Sequence, residues 1–391
     1  MERSRPGDAE DLRKSGSLII MNKYPANWKS QKVILAHDWL TGMRGGERVL
    51  EILCDGFPKA PIYTLFRKQS AISDKINAHP VWTSYLQSIP GITKHYKNLL
   101  PLFPAAIQAL RPDNARLLIS TSHCVAKALP HEKDCKHLCY CFTPMRYAWI
   151  FFDEYFGNKP LLGSMIKPVL AWLRKWDKRT ADGVDVFVAI SEHVRKRIKD
   201  FYGRDADVVY PPVDTANWTP GASTSLNAYD LVVSALVPYK RVDLAVKAAN
   251  KTGFPLKIVG TGNEYATMKP MAGKHVEFLG YRSDADILEL YRNCRMLIFP
   301  GEEDFGIVPV EAQSCGKPVV AFAKGGALET IVDGETGVFF KDQSVDSLID
   351  AMTKCAAKTW DSAAIQKHAM KFDTQVFIDS LDKVITRLMA K

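Results

Sequence analysis

Short apolar runs alternate with stretches whose apolar residues recur every three or four positions, and this rhythm carries through most of the chain. In the first half, Lys32–Ala36, Arg116–Ser120, Lys136–Phe142 and Asp185–Ala189 read as strands. In the second half Leu231–Ala235, Leu256–Val259, Val276–Leu279, Met296–Phe299 and Val319–Ala321 do the same. The runs are nearly continuous, as in parallel strands covered on both faces. Helical spacing follows them: Glu47–Cys54 after a glycine-rich turn, Glu192–Phe201 behind Ser191 as N-cap, and helices starting near Arg241, Asn263, Asp284 and Ile307. The pattern predicts two Rossmann-like α/β units in tandem.

VVYPPVD at 208–214, with its two prolines and the polar stretch after it, reads as the linker between the units. Phe377, Leu381, Val384, Ile385 and Leu388 share one stripe of a terminal helix. The expected organisation is a disordered tail over 1–30, a first domain over 31–207, a second over 208–371 and a helix over 372–391.

A net charge of +9 points to anionic partners. The basic residues are dispersed and no helix-turn-helix, RNP or zinc-finger pattern occurs, so nucleic acid is not expected. No apolar stretch reaches the roughly 20 residues of a transmembrane helix. MERSRPGDAEDLRKSG mixes both charge signs before the short run Leu18–Met21, which is no signal peptide and leaves Met21 as an alternative start. Cys135, Cys139 and Cys141 cluster in DCKHLCYCF, with His131 and His137 nearby. No second half-site completes a zinc spacing, so the segment reads as a buried strand with reduced thiols and no metal is expected. Reduced thiols without a signal peptide imply the cytoplasm.

The chemistry concentrates in PGEEDFGIVPVEAQSCGKPVVA at 300–321, a loop turning into a helix near Ile307. Glu303 and Glu311 stand eight positions apart, and Asp304-Phe305-Gly306-Ile307 places backbone N–H groups at a helix N-terminus. Carboxylates there can accept sugar hydroxyls while the N–H groups hold a phosphate. Lys240 and Arg241 in SALVPYKRVDLAVKAA fall at a strand-to-helix turn, where cations can neutralise a diphosphate. Gly45 and Gly46 in HDWLTGMRGGERVLEIL let backbone approach a ligand closely, without forming a dinucleotide fingerprint. His123 follows a strand end, where sheet crevices hold ligands, and His37 and Asp38 end the first strand. Arg146 and Tyr147 lie in the aromatic segment CFTPMRYAWIFFDEYF, suited to a sugar face and a phosphate.

From Lys32 onward the sequence resembles the family 4 retaining glycosyltransferases, whose GT-B fold sets two Rossmann-like domains around a central cleft. The resemblance implies that Glu303 contacts the donor sugar, Glu311 holds the ribose, and Gly45 and Gly46 lie over the donor phosphates. Phe305, Gly306 and Ile307 join the donor site, and His123 sits near the donor sugar. His37, Asp38, Arg146 and Tyr147 fall on the acceptor side, and the final helix crosses back to the first domain. Many relatives carry an arginine where this chain has Ala235, a departure that Arg241 could offset. HDWLTGMRGGERVLE, VPYKR and the aromatic segment look most like O-antigen and exopolysaccharide mannosyltransferases that use GDP-mannose. The implied reaction is retaining transfer from a nucleotide sugar, a co-substrate rather than a cofactor, to a glycan or polyprenyl-diphosphate-linked acceptor.

Metal-dependent transferases use an Asp-x-Asp triplet, and two occur: Asp205-Ala206-Asp207 and Asp284-Ala285-Asp286. The first runs into the linker and the second opens a helix, so both read as solvated or capping carboxylates. A sugar-nucleotide epimerase on this fold and a non-catalytic glycan-binding protein are the alternatives. Finally, Leu99, Leu100, Leu102, Phe103, Ile107 and Leu110 sit among Lys94, His95, Lys97 and Arg111. Leu170, Trp172, Leu173 and Trp176 sit likewise among Lys167, Arg174, Lys175, Lys178 and Arg179. Both sets suit either an anionic bilayer face or a core stripe with solvated charges.

Overall fold

Nearly every apolar run becomes a parallel strand in the computed structural model, which describes residues 23–150, 160–221 and 229–390. The first sheet holds β1 (Val33–His37), β2 (Ile62–Thr64), β3 (Val81–Thr83), β4 (Leu117–Ser122), β5 (Lys136–Cys141), β6 (Val186–Ala189) and β7 (Ala206–Val208). Their spatial order is β3-β2-β1-β4-β5-β6-β7. The second holds β8 (Asp230–Val233), β9 (Leu256–Val259), β10 (Val276–Gly280), β11 (Leu297–Phe299), β12 (Val319–Phe322) and β13 (Gly337–Phe340), in the order β10-β9-β8-β11-β12-β13. These are two Rossmann-like domains of the GT-B kind.

Four strands have no clear signal in the sequence. β2, β3 and β7 have three residues each, too few for a pattern to emerge, and β13 hides inside a turn-rich segment. The helix expected near Asn263 shrinks to Tyr265–Met268.

In each sheet the chain order reverses at one seam, β1/β4 in the first and β8/β11 in the second. Crossovers leave such a seam in opposite directions and open a crevice at the carboxyl ends of its strands. β1 delivers His37 and Asp38 there, and β4 delivers His123. β8 leads into the Lys240 turn and β11 into the Glu303 loop. The register confirms the placing: His37 pairs with Thr121 across the first seam.

The tail expected over 1–30 is too long. Trp28 is wholly buried, stacked on Phe57 at 4.6 Å, and its indole N–H donates to Asp382 at 2.7 Å. Residues 1–22, including Met21, lie outside the described residues. Asp382 belongs to the helix Thr374–Met389, which buries Phe377, Leu381, Val384, Ile385 and Leu388. Its Phe377 ring meets Tyr140 of β5 edge-on at 5.6 Å, so the chain's last helix lies on the first sheet.

Phe103, Ile107, Leu110, Leu170, Leu173 and Trp176 are buried, so the two basic-apolar segments are mainly core stripes. Leu102, Val169 and Trp172 are the large apolar side chains of these segments that are exposed. The clustered cysteines are buried too, with Cys139 and Cys141 on β5.

Candidate active site

Glu303 is presented by a loop that backbone contacts hold from both sides. On one side, a Cβ at Gly301 would lie 2.7 Å from the Lys240 Cα, so only glycine lets the loop rest on the Lys240 turn. On the other, the Gly326 N–H donates to the Glu303 carbonyl at 2.8 Å, and a Cβ at Gly326 would meet the Phe305 Cα at 2.2 Å. Held this way, the Glu303 carboxylate forms an ion pair with the Lys240 ammonium. Gly306, at φ 98°, turns the loop into the helix Ile307–Ser314. The Phe305 side chain is buried against Tyr210 and Phe372, so it belongs to the core and only its backbone can face a ligand.

Glu311 lies on the same helix, half-buried, and accepts the Tyr291 hydroxyl at 3.0 Å. Burial pushes its carboxyl up to about 7, against the opposing pull of Tyr291 and Arg48. Arg48 comes from the other domain and pairs with Asp284 at 2.6 Å.

The first domain brings the N-terminus of the helix Gly45–Gly56 to this same place. A Cβ at Gly45 would lie 2.8 Å from the Ile307 side-chain tip, so two helix N-termini from opposite domains nearly touch. Each carries a partial positive charge at its first turn, which favours a nearby anion. Gly46 leaves room for Phe142, 3.2 Å from where its Cβ would be.

His37 and Asp38 do not line the cleft. His37 is 2% exposed, hydrogen-bonded through Nδ1 to Thr121 at 2.7 Å, and burial lowers its basicity. Asp38 is fully buried and accepts the backbone N–H groups of His123, Val125 and Ala126 at 2.6, 2.7 and 2.7 Å. Burial opposes its ionisation, but His123 and these N–H donors outweigh burial and hold the carboxyl well below its ordinary range. Both residues therefore position the cleft rather than touch its contents. His123 remains partly exposed, edge-on to Trp39 at 4.5 Å.

Asp304 ties the domains together. Arg146 and Arg197, both from the first domain, converge on its carboxylate, and Ser191 donates to its carbonyl at 2.5 Å. Burial works against this charge, yet the two guanidiniums keep the carboxyl below its usual value. Glu329 of the second domain accepts the N–H groups of Glu192 and His193, capping a first-domain helix. Tyr147 beside Arg146 packs half-buried on the first-domain core and not on an open face. Arg241 turns away from the Lys240–Glu303 pair to bond Asp243 at 3.0 Å and Gln343 at 3.4 Å. The Asp-x-Asp carboxylates are engaged elsewhere: Asp205 with Arg195, Asp207 with Arg387, Asp284 with Arg48, and Asp286 in a capping box with Ser283.

This geometry agrees with what the chain is similar to. Residues 43–217 match the family model described as Glycosyltransferase Family 4, and residues 227–372 match Glycosyl transferases group 1. The chain belongs to the family 4 glycosyltransferases. It is 28% identical over 180 residues to an uncharacterised glycosyltransferase of Methanocaldococcus jannaschii, covering 45% of this chain and 50% of that one. It is 30% identical over 225 residues to D-inositol 3-phosphate glycosyltransferase of Mycobacteroides abscessus, covering 52% and 49%. The chain thus spans about half the length of the curated relatives it matches. Among solved structures, Anabaena HepE in complex with UDP aligns with a TM-score of 0.67 at 18% identity, covering 91% of this chain and all of HepE.

Set in a family 4 fold, several residues gain a place that pattern reading did not assign. Arg197 and Glu329 sit on helix positions that look like solvated charges in sequence. Gly325 and Gly326 sit in a segment that reads as a plain turn, yet they carry the Glu303 loop. Only the doubled glycine hinted at a close backbone approach.

Proposed function

We propose that the chain is a retaining glycosyltransferase that moves a hexose from a nucleoside-diphosphate sugar, with GDP-mannose as donor. The acceptor is a glycan or a polyprenyl-diphosphate-linked sugar of surface polysaccharide synthesis. The observation that carries this reading is the meeting of the Lys240–Glu303 pair with two helix N-termini at one interdomain cleft.

In this reading Lys240 and the N–H groups at Gly45, Gly46, Gly306 and Ile307 stabilise the leaving diphosphate, so no divalent ion is required. Glu303 accepts donor-sugar hydroxyls when the donor displaces Lys240 toward the phosphates, and Glu311 accepts those of the ribose. His123 stands beside the sugar, oriented by Asp38. Closure of the domains through Asp304, Glu329 and Arg48 keeps water from the donor. Mannose and GDP are favoured by the resemblance of three segments named above. HepE was solved with UDP, which keeps UDP-sugars in the test panel.

No described helix is long and apolar enough to cross a membrane. Val169 and Trp172 lie exposed beside Lys167, Lys175 and Lys178 on the helix Pro160–Thr180. We place this face against an anionic bilayer at the cytoplasmic side, where a lipid-linked acceptor would be met. Nucleotide release across GDP- and UDP-sugars, with and without EDTA, tests donor and metal independence together. A strict need for magnesium or manganese overturns the mechanism, and preference for a UDP-sugar overturns the donor assignment.

A further inference from the structure

Lys240 and Glu303 turn to each other, and their neighbours Tyr239, Arg241, Glu302 and Asp304 line a chamber of about 450 Å³ beside them. Arg146 and Arg197 form its wall from the first domain. The chamber therefore adjoins the proposed transfer site, and both domains contribute to its wall.

Its chemistry restricts what can enter. Among the described residues most of the wall is charged or polar, with Ile150, Pro238 and the Tyr239 ring as its apolar members. The volume is at the small end for ligand sites and fits one or two sugar rings. Three guanidiniums face it, and the carboxylates that hold them are shared. Asp304 serves both Arg146 and Arg197, and Asp243 serves both Arg241 and Lys247. Guanidiniums steadied in this way suit planar, bidentate recognition of a phosphate or carboxylate. Glu302, half-exposed on the same wall, can accept hydroxyls.

The backbone supplies an independent observation. Arg241, at φ 50°, is the only described non-glycine residue with a positive φ. Glycine would adopt that conformation without strain, yet the position carries the side chain that reaches the chamber.

We propose that this chamber is the acceptor subsite and that the acceptor presents there a sugar bearing an anion, either a sugar phosphate or a sugar acid. The inference rests on the donor occupying the Lys240–Glu303 side, as proposed above. Calorimetry on the full chain tests it with glucose 6-phosphate, glucuronic acid, glucose and inorganic phosphate, and separately with GDP and UDP. At least one charged sugar should bind tenfold or more tighter than glucose and than phosphate alone, and which one does so names the anion.

Arg241→Gly should weaken that binding at least tenfold, leave nucleotide affinity within twofold, and keep or raise Tm because the strain is relieved. Arg197→Gln should weaken it similarly. Charged sugars that bind no tighter than glucose, or equally well to Arg241→Gly, would overturn the chamber as an anion subsite. So would one-for-one displacement of the charged sugar by nucleotide. Charged-sugar binding without any nucleotide binding would instead overturn the donor reading and leave the chamber standing.

Discussion

The Asp38 carboxylate accepts the His123 backbone N–H at 2.6 Å and lies 3.0 Å from the same residue's Nδ1. One buried charge thus fixes both the loop after β4 and the ring it carries. With Asp38 ionised, Nδ1 carries the proton and Nε2 is left for the cleft. Asp38→Asn should cost about 3 kcal/mol, the scale of breaking a buried pair. The folded carboxyl lies below its ordinary value, so its contribution is complete above that value and is lost as pH falls through the depressed one. Denaturant unfolding of both proteins should show the full difference at pH 7 and a narrowing gap only in strong acid.

Glu311 titrates in the opposite direction. Burial raises its carboxyl to about 7, so below that pH the folded protein keeps it protonated. Stability from this group falls as pH rises from its ordinary value to about 7 and is level above that. Ribose hydroxyls are held better by the ionised form. Nucleotide affinity should therefore rise through pH 7 in the wild type and stay flat in Glu311→Gln, measured by calorimetry between pH 6 and pH 8.5. An equal pH profile in both would remove Glu311 from the ribose site.

Trp28 fills a pocket that closes only because Gly56 has no side chain, since a Cβ there would lie 2.5 Å from the indole. Its ring stacks on Phe57 while its N–H reaches the last helix. Trp28→Ala should destabilise the fold by about 3–5 kcal/mol. Thermal melting is the check, and an unchanged Tm would mean that this contact does not persist in solution.

Gly326 supports Glu303 without facing the cleft. Alanine there would drive a Cβ into the Phe305 backbone, which cannot swing aside as a side-chain tip could. Gly326→Ala should lower turnover at least tenfold by displacing Glu303, with a modest fall in Tm. Full turnover in that variant would show that the loop tolerates movement.

Strands buried on both faces were legible because their apolar runs are nearly continuous, and the Glu303–Glu311 spacing was legible because it sits on one loop and helix. β2, β3 and β7 were not, since three residues carry too little pattern. The misplacements have one physical cause. His37 and Asp38 end a strand at the correct seam, but sequence cannot tell a side chain aimed into the cleft from one aimed under it. Trp28 looked like part of a polar tail because its partners Phe57 and Asp382 lie 29 and 354 positions away. Arg197, Asp304 and Glu329 meet only when two domains close, and no local spacing records that.

The central claim is that Glu303, paired with Lys240 in the loop that leads into the Ile307 helix, serves transfer from a nucleoside-diphosphate sugar. The direct measurement is nucleotide release from GDP-mannose, and from a panel of other GDP- and UDP-sugars, by wild type and Glu303→Gln in the presence of EDTA. The account predicts metal-independent release by the wild type, highest with GDP-mannose. It predicts a loss of at least a hundredfold in Glu303→Gln with unchanged melting, since a neutral amide cannot make the charged contact to sugar hydroxyls. Wild-type release by a folded Glu303→Gln protein, or no release from any donor by the wild type, would contradict it.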